Sequence, residues 1–410
     1  MFAWRSERLR RIKTREQSRR VVSREVGTAI SEFAAVLRRR SCYCCRTDSL
    51  PVVDIVPNRV MGRLDMKFTR CLLWLGAAAI APAAPATAWG WQGHEYVGAL
   101  GGKLLNPNAR QHVSRLLGRN LSLPLAAVWP DCAKNASGPP GYALSQAYLA
   151  QVCNQLPTAE RQGMWEYTRR NWNNCEYSHR LSNCHKAFHF ADVNVHEHDD
   201  YGEAYFGAPN YDVVHAIRAL MVILRCPDGA TCDTRPFPGN IASKREALIL
   251  LAHFVGDLHQ PLHVGAIYLD PATAQETGDT GQETIGGNAL LLAPGSSDNL
   301  HHEWDTVSPT SPSAQAIAQG CQIAPLPNPR PEPIESWASE SVTLAKLAYN
   351  GMTFSPDSQQ GNWDIQFADR PGYMSSLRRI QNQQLIKGGA RLAILLNSVW
   401  PSTRKAVACR

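Results

Sequence analysis

The sequence predicts an all-α fold, a single mainly helical domain, on three observations. Almost no segment alternates apolar and polar residues with period two, the mark of a half-buried strand. Two helix-start signals stand before apolar-periodic runs: Asn106-Pro107, and Ser243 with Glu246 three residues on. The run after the second, EALILLAHFVGDL, is apolar nearly all round, as suits a helix buried in the middle of a domain.

The segments take their places in order. Charge sets the head apart: of 42 Lys/Arg and 35 Asp/Glu in the chain, residues 1–88 hold 17 and 7, so the body beyond them is faintly acidic. Met66–Ala88 has a basic start, an apolar stretch and an Ala-x-Ala end. That is the pattern of a secretory signal peptide cut after Ala88, and the apolar run is too short and alanine-rich for a membrane span. Residues 1–65 are Arg-rich without sustained periodicity. They read as translation from a start placed too early, or else as a basic extension, and neither reading gives them a part in the fold. The folding domain is therefore expected over 89–410, in a protein that is secreted or periplasmic.

Within it, Asn106 opens a helix through Leu117. The buried run after Ser243 ends or kinks at Pro261. Ile334–Tyr349 and Leu377–Val399 read as further helices, and Asn288–Leu292 as a short strand. Residues 266–287 and 306–333, rich in Gly, Pro, Ser, Thr and Asp, read as long loops. Eight of the 12 cysteines fall in the body, an even number that suggests disulfides in an exported chain. Cys175 with Cys184 and Cys226 with Cys232 are the short-loop pairs. No two CxxC units stand at zinc-ribbon spacing, which argues against a cysteine metal site.

All 13 histidines lie in the body. In HFVGDLHQPLH, His253 and Asp257 are four apart and share one helix face; in NLHHEWD, His301 and Asp305 do the same. Asp131 stands in WPDCAK, and His189 and Asp192 in KAFHFAD. The recurring unit is imidazole plus carboxylate, a donor set that suits zinc held by nitrogen and oxygen. Asp257 inside an apolar helix needs a partner, because an unpaired buried carboxylate costs several kcal/mol.

The series WGxxGH at Trp89–His94, WPD, HF, HFxGDxHQPLH, GGN and NLHxxWD resembles the zinc-dependent S1/P1 nuclease family, of the mung bean nuclease type. The order matches from Trp89 to Asp305, and WAxES at Trp337–Ser341 continues it. The resemblance implies a mainly helical domain with a short β-hairpin, a phospholipase C/P1 nuclease-like fold. It implies three zinc ions. One would take Asp131, His189, His253 and Asp257. A second would take His94, the other oxygen of Asp257, and Trp89 through its α-amino nitrogen and own carbonyl oxygen, which requires cleavage after Ala88. A third would take His263, His301 and Asp305. His302 could exchange with His301, but the pattern favours His301. His259 is no ligand and is expected to support one or to lie on the helix surface. His112, His179, His185, His196, His198 and His215 read as ordinary.

The same resemblance gives Asp131 a second role in orienting the attacking water, and gives Lys134 charge stabilisation on the phosphoryl oxygens. It makes Phe190 a stacking aromatic and Asp192 the carboxylate that meets the base edge. Stacking needs an unpaired base, so the implied partners are single-stranded DNA, RNA and 3′-nucleotides, with no membrane and a monomeric enzyme. The implied activity is phosphodiester hydrolysis to 5′-phosphorylated products with 3′-nucleotidase activity. The faintly acidic body fits, since metal ions rather than a lysine patch would draw the phosphate. A zinc phospholipase C is the alternative, similar in fold; Phe190 and Asp192 favour a nucleobase over a lipid. A zinc-binding protein without turnover would need neither Lys134 nor Phe190.

Overall fold

A computed structural model of the protein describes residues 89–410 apart from 174, 176–182, 308, 325–330, 358–360, 405 and 410. The basic extension, the signal peptide and His179 lie outside the described residues. The helices are α1 (Trp91–Leu104), α2 (Pro107–Leu117), α3 (Leu123–Lys134), α4 (Gln146–Gln151), α5 (Glu160–Arg170) and α6 (Cys184–Ala187). They continue with α7 (Val213–Arg225), α8 (Lys244–Leu258), α9 (Leu300–Asp305), α10 (Ala314–Ile323), α11 (Ile334–Ala348) and α12 (Arg370–Val399). The expected mainly helical fold is what forms.

Local chemistry sets the helix starts. The Asn106 side chain accepts from the Ala109 N–H (2.9 Å) behind Pro107. Ser243 accepts from the Glu246 N–H (3.1 Å), while the Glu246 carboxylate reaches back to the Ala242 N–H (3.1 Å), one residue beyond the usual capping box. Each such cap contributes about 0.5–2 kcal/mol.

Helix α8 is the middle of the molecule. Every residue from Ala247 to Leu258 is buried, and the helix packs on α3, α7, α12 and α1. Full burial of Leu248, Leu250, Leu251 and Val255 contributes roughly 1.5–3 kcal/mol each. As expected, regular helix ends before Pro261, and a single 3₁₀ turn, Pro261–His263, follows.

Strands are short. β1 (Val193–Asn194) runs parallel to β2 (Gly265–Ala266), and β3 (Tyr268–Leu269) pairs antiparallel with β4 (Gln282–Glu283). The expected strand near Asn288–Leu292 is β5 (Leu290–Leu291), parallel to β7 (Trp363–Phe367), which forms a hairpin with β6 (Met352–Pro356).

Three boundaries differ from the sequence reading. The stretch read as a loop over 306–333 contains α10, capped by Ser313 on the Ala316 N–H (3.1 Å). The stretch 266–287 contains β3, β4 and part of β2, too short for a period-two signal to register. Helix α12 starts seven residues early, because Asp369 caps the Gly372 N–H (3.0 Å) ahead of Pro371. Disulfides join Cys175 to Cys184 and Cys226 to Cys232 as expected, and also Cys132 to Cys153 and Cys321 to Cys409. Among the described residues no helix is long and apolar enough to cross a membrane.

Candidate metal centre

Four helices bring imidazoles and carboxylates to one buried region: α1 carries His94, α3 Asp131, α8 His253 and Asp257, and α9 His301 and Asp305. His189 follows α6, and His263 closes the 3₁₀ turn that Pro261 begins. Three sets have ligand atoms within 4.8 Å of one another: His94, Asp131 and His253; His189, His253 and Asp257; and His263, His301 and Asp305. Zinc with bonds of about 2.0–2.1 Å in a tetrahedron sets its ligand atoms about 3.3 Å apart, within that span.

Asp257 is the hinge of the arrangement. Its Oδ2 lies 3.0 Å from His189 Nδ1 and 3.1 Å from His253 Nε2, and its Oδ1 lies 3.4 Å from His94 Nε2 and 3.7 Å from His263 Nδ1. Asp131 lies 3.7 Å from His253 and 3.9 Å from His94. The His94 and His253 rings are stacked, 3.7 Å between centroids.

Backbone carbonyls fix the tautomers. His253 Nδ1 donates to Ala127 O (2.6 Å), His263 Nδ1 to His189 O (2.9 Å) and His301 Nδ1 to Gly286 O (2.8 Å). With Nδ1 protonated, each neutral ring turns a bare lone pair at Nε2 toward the cluster, the orientation of a metal-bound histidine. The Nε2 atoms of His263 and His301 then stand 3.1 Å apart. Two lone pairs at that distance repel unless a proton or a cation lies between them.

Other atoms are equally incomplete. Both oxygens of Asp131, Oδ1 of Asp257, Oδ2 of Asp305 and Nε2 of His189 are buried without a hydrogen-bond partner. Stranding buried polar atoms costs about 1–3 kcal/mol each, more when charged. The donor set thus fits divalent cations, and the three groups could hold them.

Charge states agree. Burial, then the Lys134 charge, pushes His189 well below the histidine range; burial and His263 do the same to His301. Burial takes His263 down to about 4, and burial followed by His253 lowers His94. As neutral rings they could bind a cation without shedding a proton. For His253, burial is outweighed by Asp257 and Asp131, which raise it. Burial works to raise Asp257, but His253 and His263 leave its carboxyl well below the carboxylate range. Asp305 is pushed well above that range by burial, against the hydrogen bond from Gln260.

The residue pattern matches known proteins over the same stretch. The sequence model of the S1/P1 nuclease family matches residues 89–401. The chain belongs to the S1/P1 nuclease family. It is 31% identical to Endonuclease 4 of Arabidopsis thaliana over 39% of this chain and 52% of that protein. It is 31% identical to Endonuclease 5 of the same plant over 39% of this chain and 53% of that protein. It is 29% identical to Nuclease P1 of Penicillium citrinum over 38% of this chain and 57% of that protein. The chain spans a little over half the length of the curated relatives it matches.

The remaining candidates of this S1/P1 family member fall as follows. Trp89 is fully buried, and its indole Nε1 donates to Gly256 O (2.8 Å). Lys134 ends α3, half-buried, and its charge reaches His189, His263 and His301. Phe190 is half-buried beside His189, and Asp192 is 5% exposed. Burial, then Glu283, pushes Asp192 well above the carboxylate range, so it can donate as well as accept. His259 is fully buried, not on the helix surface, and binds Arg391. His215 pairs with Asp212, His196 with Glu276 and His198 with Asp279, outside the three groups.

Sequence reasoning missed three supports. Gln260 is fully buried; its Nε2 donates to Asp305 Oδ1 (2.8 Å) and its Oε1 accepts from the Leu262 N–H (2.6 Å). Gly256 leaves room for His94, because a Cβ there would sit 2.8 Å from its Nδ1. The Ala127 carbonyl in α3 serves His253 (2.6 Å). A glutamine and a glycine within a metal motif are the signals that pointed to the first two; nothing in the sequence marks the Ala127 carbonyl.

Proposed function

We propose that the protein is an exported zinc-dependent phosphodiesterase that hydrolyses single-stranded DNA and RNA to 5′-phosphorylated products, with 3′-nucleotidase activity. The observation that carries this reading is the buried cluster of three His/Asp groups with incomplete ligand atoms in a member of this family. Domain 89–410 would be the mature enzyme after a cut at Ala88/Trp89, secreted or periplasmic, and the four disulfides support an oxidising destination.

One zinc would be held by Asp131, His189, His253 and Asp257, a second by His94, Asp257 and the freed terminus and carbonyl of Trp89, and a third by His263, His301 and Asp305. Bound zinc ions would make a water acidic near neutral pH and stabilise charge on phosphoryl and departing oxygens. The chain's own groups do the rest. Asp131 orients the attacking water in line with phosphorus. The Lys134 ammonium balances charge on the phosphoryl oxygens. Phe190 stacks on an unpaired base, and Asp192 meets its polar edge, which selects single strands without reading sequence.

The test is an assay of the exported protein on single-stranded DNA, duplex DNA, 3′-AMP and phosphatidylcholine, with and without chelator. Chelator-sensitive cleavage of single-stranded DNA and 3′-AMP is expected, lost in Asp131→Asn. Cleavage of phosphatidylcholine alone would replace this reading with the phospholipase C one. Metal binding with no turnover of any substrate would reduce the protein to a zinc binder.

A further inference from the structure

Between β1 and α7 the chain makes a turn that presents an aromatic ring to solvent. Phe206 is 44% exposed, the one aromatic among the exposed large hydrophobic side chains of the described residues. Leaving a phenylalanine in water forgoes the gain that burial would bring.

The turn is clamped to the neighbourhood of Asp192. The Asp192 N–H donates to Gly207 O (2.8 Å), and the Ala208 N–H to Tyr205 O (3.1 Å). Gly207 has φ +84°, and a Cβ there would lie 2.1 Å from Asp192 O, so only glycine closes the turn this tightly. Phe206 meets the buried Tyr268 edge-on, 5.8 Å between centroids, and the Tyr268 hydroxyl donates to Asp192 O (2.8 Å). Tyr205 stacks on His198 at 3.7 Å and donates to Asp200 Oδ1 (3.0 Å), fixing the other side of the turn. The exposed ring is therefore pre-positioned, one residue from the carbonyl that holds Asp192.

Charge divides the surroundings. Glu283 and Asp279 act on Tyr268, so the Phe206 side carries acidic groups. The Lys134 charge acts on His189, His263 and His301.

We propose that Phe206 is a stacking platform for a second unpaired nucleobase, next to the base held by Phe190 and Asp192. The subsite rests on the nuclease reading above and distinguishes an oligonucleotide from a mononucleotide, which has only one base to offer.

The experiment compares wild type, Phe206→Ala and Phe206→Trp on a single-stranded oligo-dT and on 3′-AMP. Loss of a base stack should raise KM for the oligonucleotide roughly 5- to 150-fold in Phe206→Ala, with kcat and 3′-AMP hydrolysis unchanged. Phe206→Trp should retain the wild-type KM. Equal losses on both substrates, or no change on either, would overturn the subsite. A wild-type protein that cleaves neither substrate would instead overturn the nuclease reading, and the subsite with it.

Discussion

The two faces of α8 both bury ionisable side chains, and they are finished differently. On one face stand His253 and Asp257; half a turn on, His259 points the other way. His259 Nδ1 donates to Val255 O (2.7 Å), and its Nε2 receives Arg391 Nη1 (2.9 Å). Arg391 also donates to Glu340 (2.7 Å) and lies over the Trp337 ring, and Lys387 and Gln384 complete the Glu340 carboxylate. Every charge on that side meets its counterpart within the protein. On the cluster side, lone pairs face lone pairs and carboxylate oxygens stay bare. His259 is as fully buried as His253 and Asp257, so burial of a histidine does not by itself identify the site. What sets the cluster apart is that oxygens of three carboxylates and a histidine nitrogen are gathered there without a hydrogen-bond partner.

The largest effect should come from the unfinished face. Asp257→Asn removes the carboxylate that touches all the neighbouring histidines, and hydrolysis should fall by about 10³-fold or more. Native mass spectrometry should show fewer bound divalent ions; a full complement in the variant would break the contrast between the faces.

On the finished face the same kind of change should cost stability instead. Glu340→Gln strands Arg391 and Lys387 and should lower unfolding free energy by about 3–5 kcal/mol in urea titration, with metal content unchanged. Lost metal with unchanged stability would reverse the assignment of the two faces.

Gln260 sharpens the boundary between them. Gln260→Leu frees Asp305 to rotate, and affinity for one divalent ion should drop roughly 10- to 100-fold by competition with a chromophoric chelator. An unaltered affinity would show that Asp305 is held by other means.

The most gradual effect is a pH slope. Burial, then Arg391, holds His259 down at about 3, below its unfolded value near 6.5. Between those values the unfolded chain binds a proton that the folded one refuses, so stability falls as pH drops from about 6.5 toward 3. His259→Gln should remove up to about 1.4 kcal/mol per pH unit of that slope; parallel curves for wild type and variant would show no such contribution.

Much of this was legible in the sequence. The caps at Asn106 and Ser243, the all-round apolar run of α8 and the stop at Pro261 are local, and local chemistry decided them. His253 with Asp257 and His301 with Asp305 were legible as pairs because four residues make one helical turn. The strands β3 and β4 were not, since two-residue strands carry no periodicity, and α10 was hidden in a stretch that composition marks as loop.

The sequence by itself determined the pairing of His253 with Asp257 and of His301 with Asp305, because four residues make one helical turn and set each imidazole beside its carboxylate. Only the tertiary structure decided that His94, His189 and His263 come from three separate segments to the same Asp257. It also decided that Ala127, His189 and Gly286 offer the carbonyls that set the tautomers, and that Gln260 rather than His259 holds Asp305. The reason is physical: a backbone carbonyl or a glutamine amide is the same chemical group anywhere in a chain, and packing alone aims it at a histidine or an aspartate.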